Sequence, residues 1–358
     1  MVRRSVSSFF CIAAVAILLA GTSGKPATLR QAADHIHLLV GAAVQPGLLS
    51  QSAYSETVSR EFNMVEPENA TKWRAIRPDQ ATFDFHEGDE IVRYAQAHAM
   101  KVRGHCLVWD HYNPDWLAQG HFTPAQLSDL MKEHITTVMK HYAGQIFAWD
   151  VVNEALNEKG EFKDSIWYNQ PGIVLPKNSN YVEQAFRWAR EADTQALLFY
   201  NEAEGEGMNR KSDAIYDLMK KFKKQGVPID GVGLQLHISR LDYDTAAVAA
   251  NIKRLTALGL QVHITELDVS LPVDVDGHAQ DADIHKQAGL YRAVIEACLQ
   301  SARCTAIQTW GFTDKYSWIG THSQHTRGAA LPFDRNYKPK PAYDAMLEAI
   351  ANAESSHQ

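Results

Sequence analysis

Eight short apolar runs alternate with longer segments of helical periodicity, and that alternation constrains the chain more than any other feature. The runs are His37 to Ala42, Phe62 to Val65, Val102 to Trp109, Ile146 to Val152, Ala196 to Tyr200, Gly231 to Leu236, Gln261 to Thr265 and Thr305 to Trp310. Between them, Asp89 to Met100, Thr123 to Tyr142, Tyr181 to Ala192 and Asp244 to Leu258 repeat apolar residues at the spacing of one helix face. Pro124 after Thr123 suits a first helical position, and Gly259 suits a helix end. Strand and helix in strict alternation predict a parallel sheet with helices outside, closed as a (β/α)8 TIM barrel. Such barrels run to about 250 residues or more as one domain, so 358 residues require no second one. No internal repeat, low-complexity linker or appended module interrupts the pattern.

The two ends differ from this body. Arg3 and Arg4 precede an apolar run from Phe9 to Ala20 and then Gly21, Thr22, Ser23 and Gly24, the layout of a secretory signal peptide over residues 1–24. The run is shorter than the roughly 20 residues of a membrane span, although an uncleaved anchor is the alternative. A secreted protein is expected, extracellular or periplasmic, with one domain over residues 25–352 and a tail over 353–358. Losing residues 1–24 removes two arginines and no acid, so the net charge of −7 becomes −9. An acidic surface argues against nucleic acid and, once the leader is gone, against an anionic membrane; a neutral polymer is indifferent to it.

Of the four cysteines, Cys11 leaves with the leader and Cys106 reads as a small buried hydrophobe. Cys298 and Cys304 flank a helix-to-strand turn and can pair in an oxidising compartment; two free thiols are the alternative.

The chemistry gathers at strand ends. FAWDVVNEAL, Phe147 to Leu156, is apolar on both faces apart from Asp150 and closes on Asn153 and Glu154. QVHITELDVS, Gln261 to Ser270, closes on Glu266 followed by Asp268. In a parallel barrel these ends share one mouth, where two carboxylates can flank one bond, as glycoside hydrolysis requires. Either glutamate alone is as readily a solvated or ion-paired residue. Other strand ends add Glu68, Asn69 and Lys72; His105, Trp109 and Asp110; Tyr200 to Glu202; Gln235 and His237; and Trp310 and Trp318. Flat indoles beside hydrogen-bonding groups suit a sugar. Gln235 and His237, two apart on one expected strand, would point the same way. His322 and His325 lack a third ligand at metal-binding spacing and read as a solvated loop, and His134 and His141 read as ordinary helix-face residues. The Asn-Ala-Thr sequon at Asn69 reads as accidental, since a glycan there would block the mouth.

The pieces EPENATKW, GHCLVW, WDVVNEAL, DGVGLQLH, ITELDV and WGFTDKYSW, in this order, resemble family 10 glycoside hydrolases, which are endo-β-1,4-xylanases; the likeness spans nearly the whole chain after the leader. The resemblance implies retaining hydrolysis of xylan and xylo-oligosaccharides without cofactor or metal, by a single catalytic domain acting as a monomer. It matches Glu154 to the acid/base, Glu266 to the nucleophile and Asn153 to a contact with the sugar 2-hydroxyl. Glu68, Asn69, Lys72, His105, Trp109, Gln235, His237, Trp310 and Trp318 match positions lining the sugar subsites, and Cys298 with Cys304 matches a disulfide of many members. A retaining pair stands about 5 to 5.5 Å apart, and Glu154 is expected to have a raised pKa so that it starts protonated. Asp110 stands where the family usually has histidine, Glu202 where it commonly has aspartate, and Gly172 to Asn180 is a longer loop. The rival readings are a β-1,4-glucanase of a related barrel family and a catalytically inactive xylan-binding barrel.

Overall fold

In the computed structural model, which describes residues 27–355, the parallel strands form a ring. The leader expected over residues 1–24, and residues 356–358 of the expected tail, lie outside the described residues. The ring comprises β1 (Leu39–Val44), β2 (Met64–Pro67), β3 (Lys101–Val108), β4 (Ala148–Asn153), β5 (Leu197–Glu202), β6 (Gly231–Leu234), β7 (Gln261–Val269) and β8 (Cys304–Thr309). Each strand pairs in parallel with the next, and β1 also pairs with β8, Leu39 opposite Ala306 and Ala42 opposite Thr309. Closure pairs the two outer strands, so the barrel has no open edge. The expected (β/α)8 TIM barrel is the fold. The two-residue strand His237–Ile238 adds to β7 at Asp268 and Val269, at the mouth.

The helices that wrap the ring are α1 (Leu29–His35), α2 (Ser52–Glu61), α3 (His86–Ala97), α4 (Pro124–His141), α5 (Tyr181–Ala192), α6 (Arg210–Gln225), α7 (Thr245–Ala257), α8 (Asp281–Leu299) and α9 (Pro341–Ser355). Their ends follow from the sequence. Thr123 and Gln126 form a reciprocal cap on α4 with Pro124 at its start, and Asp244 accepts the Ala247 N–H at 3.0 Å to start α7. Gly259, at φ +81°, closes the turn after α7 where a side chain would be strained. α4 turns Leu127, Leu130, Met131, His134, Ile135 and Val138 inward, one apolar face at helical spacing. α9 extends into the segment expected as a tail.

Most strand boundaries differ from the expected ones by one to four residues, and at two of them a left-handed residue is the cause. β1 starts at Leu39 rather than His37, because His37 takes φ +56° in the turn that ends α1. β6 stops at Leu234, because Leu236 takes φ +65° and turns the chain. The Cys298–Cys304 disulfide ties the end of α8 to the start of β8, with Cα atoms 5.3 Å apart, and Cys106 is buried with a free thiol. Among the described residues, no helix is long and apolar enough to cross a membrane.

Candidate active site

Glu154 follows the last residue of β4 and takes φ +52°, a conformation costing a non-glycine residue on the order of 1–3 kcal/mol. Its N–H donates to the Asn201 carbonyl at 2.9 Å, which holds the turn. The carboxylate therefore reaches into the mouth beside Asn153. Its Oε1 accepts from Gln235 Nε2 at 2.9 Å and Asn153 Nδ2 at 3.3 Å, and its Oε2 from Trp109 Nε1 at 3.2 Å. Lys163 Nζ lies 3.6 Å from the same Oε2.

Glu266 lies within β7 rather than at its end. It is brought to the mouth by an irregularity in pairing: Ile307 and Thr309 of β8 face Ile264 and Leu267 of β7, so β7 carries one extra residue there. Its Oε1 accepts from Asn201 Nδ2 at 2.7 Å, and its Oε2 faces His237 Nε2 at 3.1 Å. His237 Nδ1 faces Asp268 Oδ2 at 2.9 Å. Burial pulls the His237 pKa down, but Asp268 and Glu266 override it and hold it well above the usual histidine value. The imidazolium thus donates to both carboxylates. A run of hydrogen bonds joins the two glutamates: Gln235 Nε2 donates also to Asn153 Oδ1 at 3.2 Å, and Asn201 Nδ2 reaches that oxygen at 2.9 Å.

The walls bring the other expected residues to the same mouth. Lys72 Nζ sits 4.9 Å from the Trp109 ring centre and 5.3 Å from that of Trp310, and donates to Asn69 Oδ1 at 2.9 Å. Asn69 Nδ2 donates to Glu68 Oε1 at 3.4 Å, and burial raises the Glu68 pKa. His105 and Trp310 meet edge to face at 5.3 Å, and Trp318 donates from its indole to Asp268 Oδ2 at 2.9 Å.

The model of glycosyl hydrolase family 10 matches residues 28–349. The chain belongs to that family. Endo-1,4-beta-xylanase B of Thermotoga neapolitana is 37% identical over 325 residues, covering 90% of this chain and 91% of the relative. The crystal structure of xylanase 10B from Thermotoga petrophila in complex with xylobiose superposes with a TM-score of 0.87 at 37% identity, covering 93% of this chain and 100% of that one. An intracellular xylanase from Thermoanaerobacterium saccharolyticum, solved with xylotetraose, gives 0.80 at 35% identity, covering 89% and 97%.

Within this family 10 hydrolase, one expectation fails outright. Glu154 does not have a raised pKa: burial pushes it up, but the Gln235 hydrogen bond, the Lys163 ammonium and the Trp109 N–H outweigh burial and hold it below the ordinary value. The three groups come from the segments that follow three different strands, β3, β4 and β6. Gln235 and His237 also do not share a strand, since Leu236 turns the chain between them; both reach the mouth all the same.

Several residues that position the pair were not singled out from sequence. Asn201, fully buried, is the link between Asn153 and Glu266; its place at the end of β5 was the available signal. Lys163 lies nine positions beyond Glu154 and gave no motif. Glu202, read as part of the polar mouth, turns away from it and is buried against Lys211 Nζ at 3.0 Å and the Leu156 N–H at 3.1 Å; burial pushes its pKa up to about 7. Asp150, the polar exception in β4, is buried with Arg103, and His105 Nδ1 stands 3.0 Å from it. Glu66, His105 and Asp150 are close enough to share a cation, and the Arg103 guanidinium, 3.4 Å from Glu66, already supplies the positive charge there. The exposed Asp274, Asp276 and His278 form a second such group, in which Asp274 accepts backbone N–H bonds of its own loop.

Proposed function

We propose that this chain hydrolyses internal β-1,4-xylosidic bonds of xylan by double displacement, with Glu154 as acid/base and Glu266 as nucleophile. The observation that carries the reading is one network holding both carboxylates, Glu154 through Gln235 and Glu266 through Asn201, each bonded to Asn153 Oδ1. In the first step, the Glu154 proton passes to the glycosidic oxygen, the bond to the leaving sugar breaks, and a Glu266 oxygen bonds to the anomeric carbon. The His237 imidazolium and Asn201 hold the Glu266 carboxylate aimed. In the second step, Glu154, now a carboxylate, takes a proton from water, the water oxygen attacks the same carbon, and Glu266 is released. The depressed pKa of free Glu154 means that bound substrate must favour its protonated form, as sugar displaces water around it.

The xylobiose and xylotetraose held by the two relatives support xylo-oligosaccharides as ligands, and Trp109, Trp310 and Trp318 offer the stacking faces. Proton NMR of the anomeric signals during xylohexaose hydrolysis tests the mechanism: β-anomers are expected first, and α-anomers first would refute direct attack by Glu266. Glu266→Ala should abolish turnover with the fold retained, whereas Glu154→Ala should spare substrates with good leaving groups in the first step. The charge and apolar pattern of residues 1–24, together with the Cys298–Cys304 disulfide, supports export to an oxidising compartment. The mass of protein recovered outside the cell should then correspond to a chain starting between Ala20 and Ala27, and full-length protein confined to the cytoplasm would refute export.

A further inference from the structure

After Glu154 the chain folds back on itself. Leu156 and Phe162 pair antiparallel, and the Lys163 N–H donates to the Ala155 carbonyl at 2.9 Å, which returns Lys163 to the acid. Its Nζ lies 3.6 Å from Glu154 Oε2 and 4.0 Å from Asp110 Oδ2. Asp110 also meets His111 Nδ1 at 2.7 Å through its other oxygen. The Lys163 side chain is 26% exposed and, with Glu154, lines a cavity of about 480 Å³. It is therefore a surface of the cleft and not part of the core.

We propose that Lys163, held between Asp110 and Glu154, is a positioning residue that sets the pH range over which Glu154 donates its proton, with Asp110 restraining it. The inference rests on Glu154 being the acid of the reaction. A cation this close favours the ionised carboxyl, and an anion on the cation's other side weakens that pull.

The other charged groups around Glu154 do not substitute for it. At the end of β3, His105 is committed to Asp150. Beside β5, Lys211 is taken by the buried Glu202, while Glu204 is a like charge on the cavity wall. Lys159 and Glu158, on the same loop as Lys163, line the cavity with opposite signs. From β7, Glu266 is engaged by Asn201 and His237. Among the described residues, Lys163 is the cation in salt-bridge contact with Glu154.

The test is kcat/KM on xylohexaose against pH for the wild type, Lys163→Met, Lys163→Arg and Asp110→Asn, since its alkaline limb reports the acid in the free enzyme. Lys163→Met should move that limb up by about one pH unit, Asp110→Asn should move it down, and Lys163→Arg should restore it. The shift should vanish on a nitrophenyl xylobioside, whose leaving group departs without a proton. An alkaline limb unmoved in Lys163→Met overturns the proposal, as does a raised KM with the limb in place. Should Lys163→Met not fold, an unmoved limb in Asp110→Asn overturns it equally. Failure of the underlying reading looks different: Glu154→Ala would keep full activity on xylohexaose.

Discussion

Asn201 touches both halves of the network that holds Glu154 and Glu266. Its Nδ2 donates to Glu266 Oε1 at 2.7 Å and reaches Asn153 Oδ1 at 2.9 Å, while its Oδ1 accepts from Thr265 Oγ1 at 2.8 Å. Room for it depends on Gly233, where a Cβ would fall 2.1 Å from Asn201 Oδ1. Alanine at 201 removes a donor from Glu266 and frees Asn153 to rotate. Asn201→Ala is expected to lower kcat on xylohexaose roughly 100-fold, the scale of a misplacement near 1 Å, with little change in KM and an unchanged circular dichroism spectrum. A change confined to KM would make Asn201 a sugar contact instead. The sequence placed Asn201 at a strand end, but nothing local distinguished it from Glu202, which is buried away from the mouth. That Glu154 and Glu266 reach one mouth was legible because each closes an apolar run of a strand in a parallel barrel.

At the scale of elements, position along the chain was more legible than orientation. α5 matches the expected Tyr181 to Ala192, and the expected ends of α4 and α7 are their capping residues, because caps and apolar spacing are local. The aim of strand-end side chains is not local. His263 of β7 faces Arg103 and Thr265 faces Asn201, so strict alternation would turn Glu266 to the opposite side. The extra residue in β7 puts Thr265 and Glu266 on the same asparagine. β4 reaches the same result differently: the left-handed turn at Glu154 lets consecutive residues Asn153 and Glu154 share Gln235. Left-handed Leu236 turns the chain between Gln235 and His237, which reach Glu154 and Glu266 respectively. These departures depend on pairing with a neighbouring strand or on a turn after the last ladder bond, and a period of two does not contain them.

For the whole molecule, two buried histidines link folding to pH. His134 stacks on Trp73 at 3.8 Å with neither ring nitrogen bonded, and burial, then the Arg77 charge, hold its pKa well below the usual value. Burial and Arg103 do the same for His263. Below about pH 6.5 the unfolded chain binds protons that the folded one refuses, so each histidine lowers stability as pH falls, by up to about 1.4 kcal/mol per pH unit. His134→Phe keeps the stacking and removes one share. The loss of urea-unfolding free energy between about pH 7 and pH 5 should be smaller in the variant by about 1 to 2 kcal/mol. An equal loss in both proteins would show that His134 does take up the proton.

The sequence by itself determined the alternation of eight strands with helices, the ends of α4, α5 and α7, and the set of motifs that places the chain in family 10, whereas α3 runs His86–Ala97, three residues earlier than the expected Asp89 to Met100. These depend on periodicity and residue identity over short stretches, which chain order records. Only the tertiary structure decided the charge state of Glu154 and the aim of Glu266. Ring closure sets Gln235, 81 residues away, and Trp109, 45 residues away, against the carboxylate that Lys163 also faces. Proton affinity at an atom sums over every neighbour in space, and those neighbours are assembled only when the barrel closes.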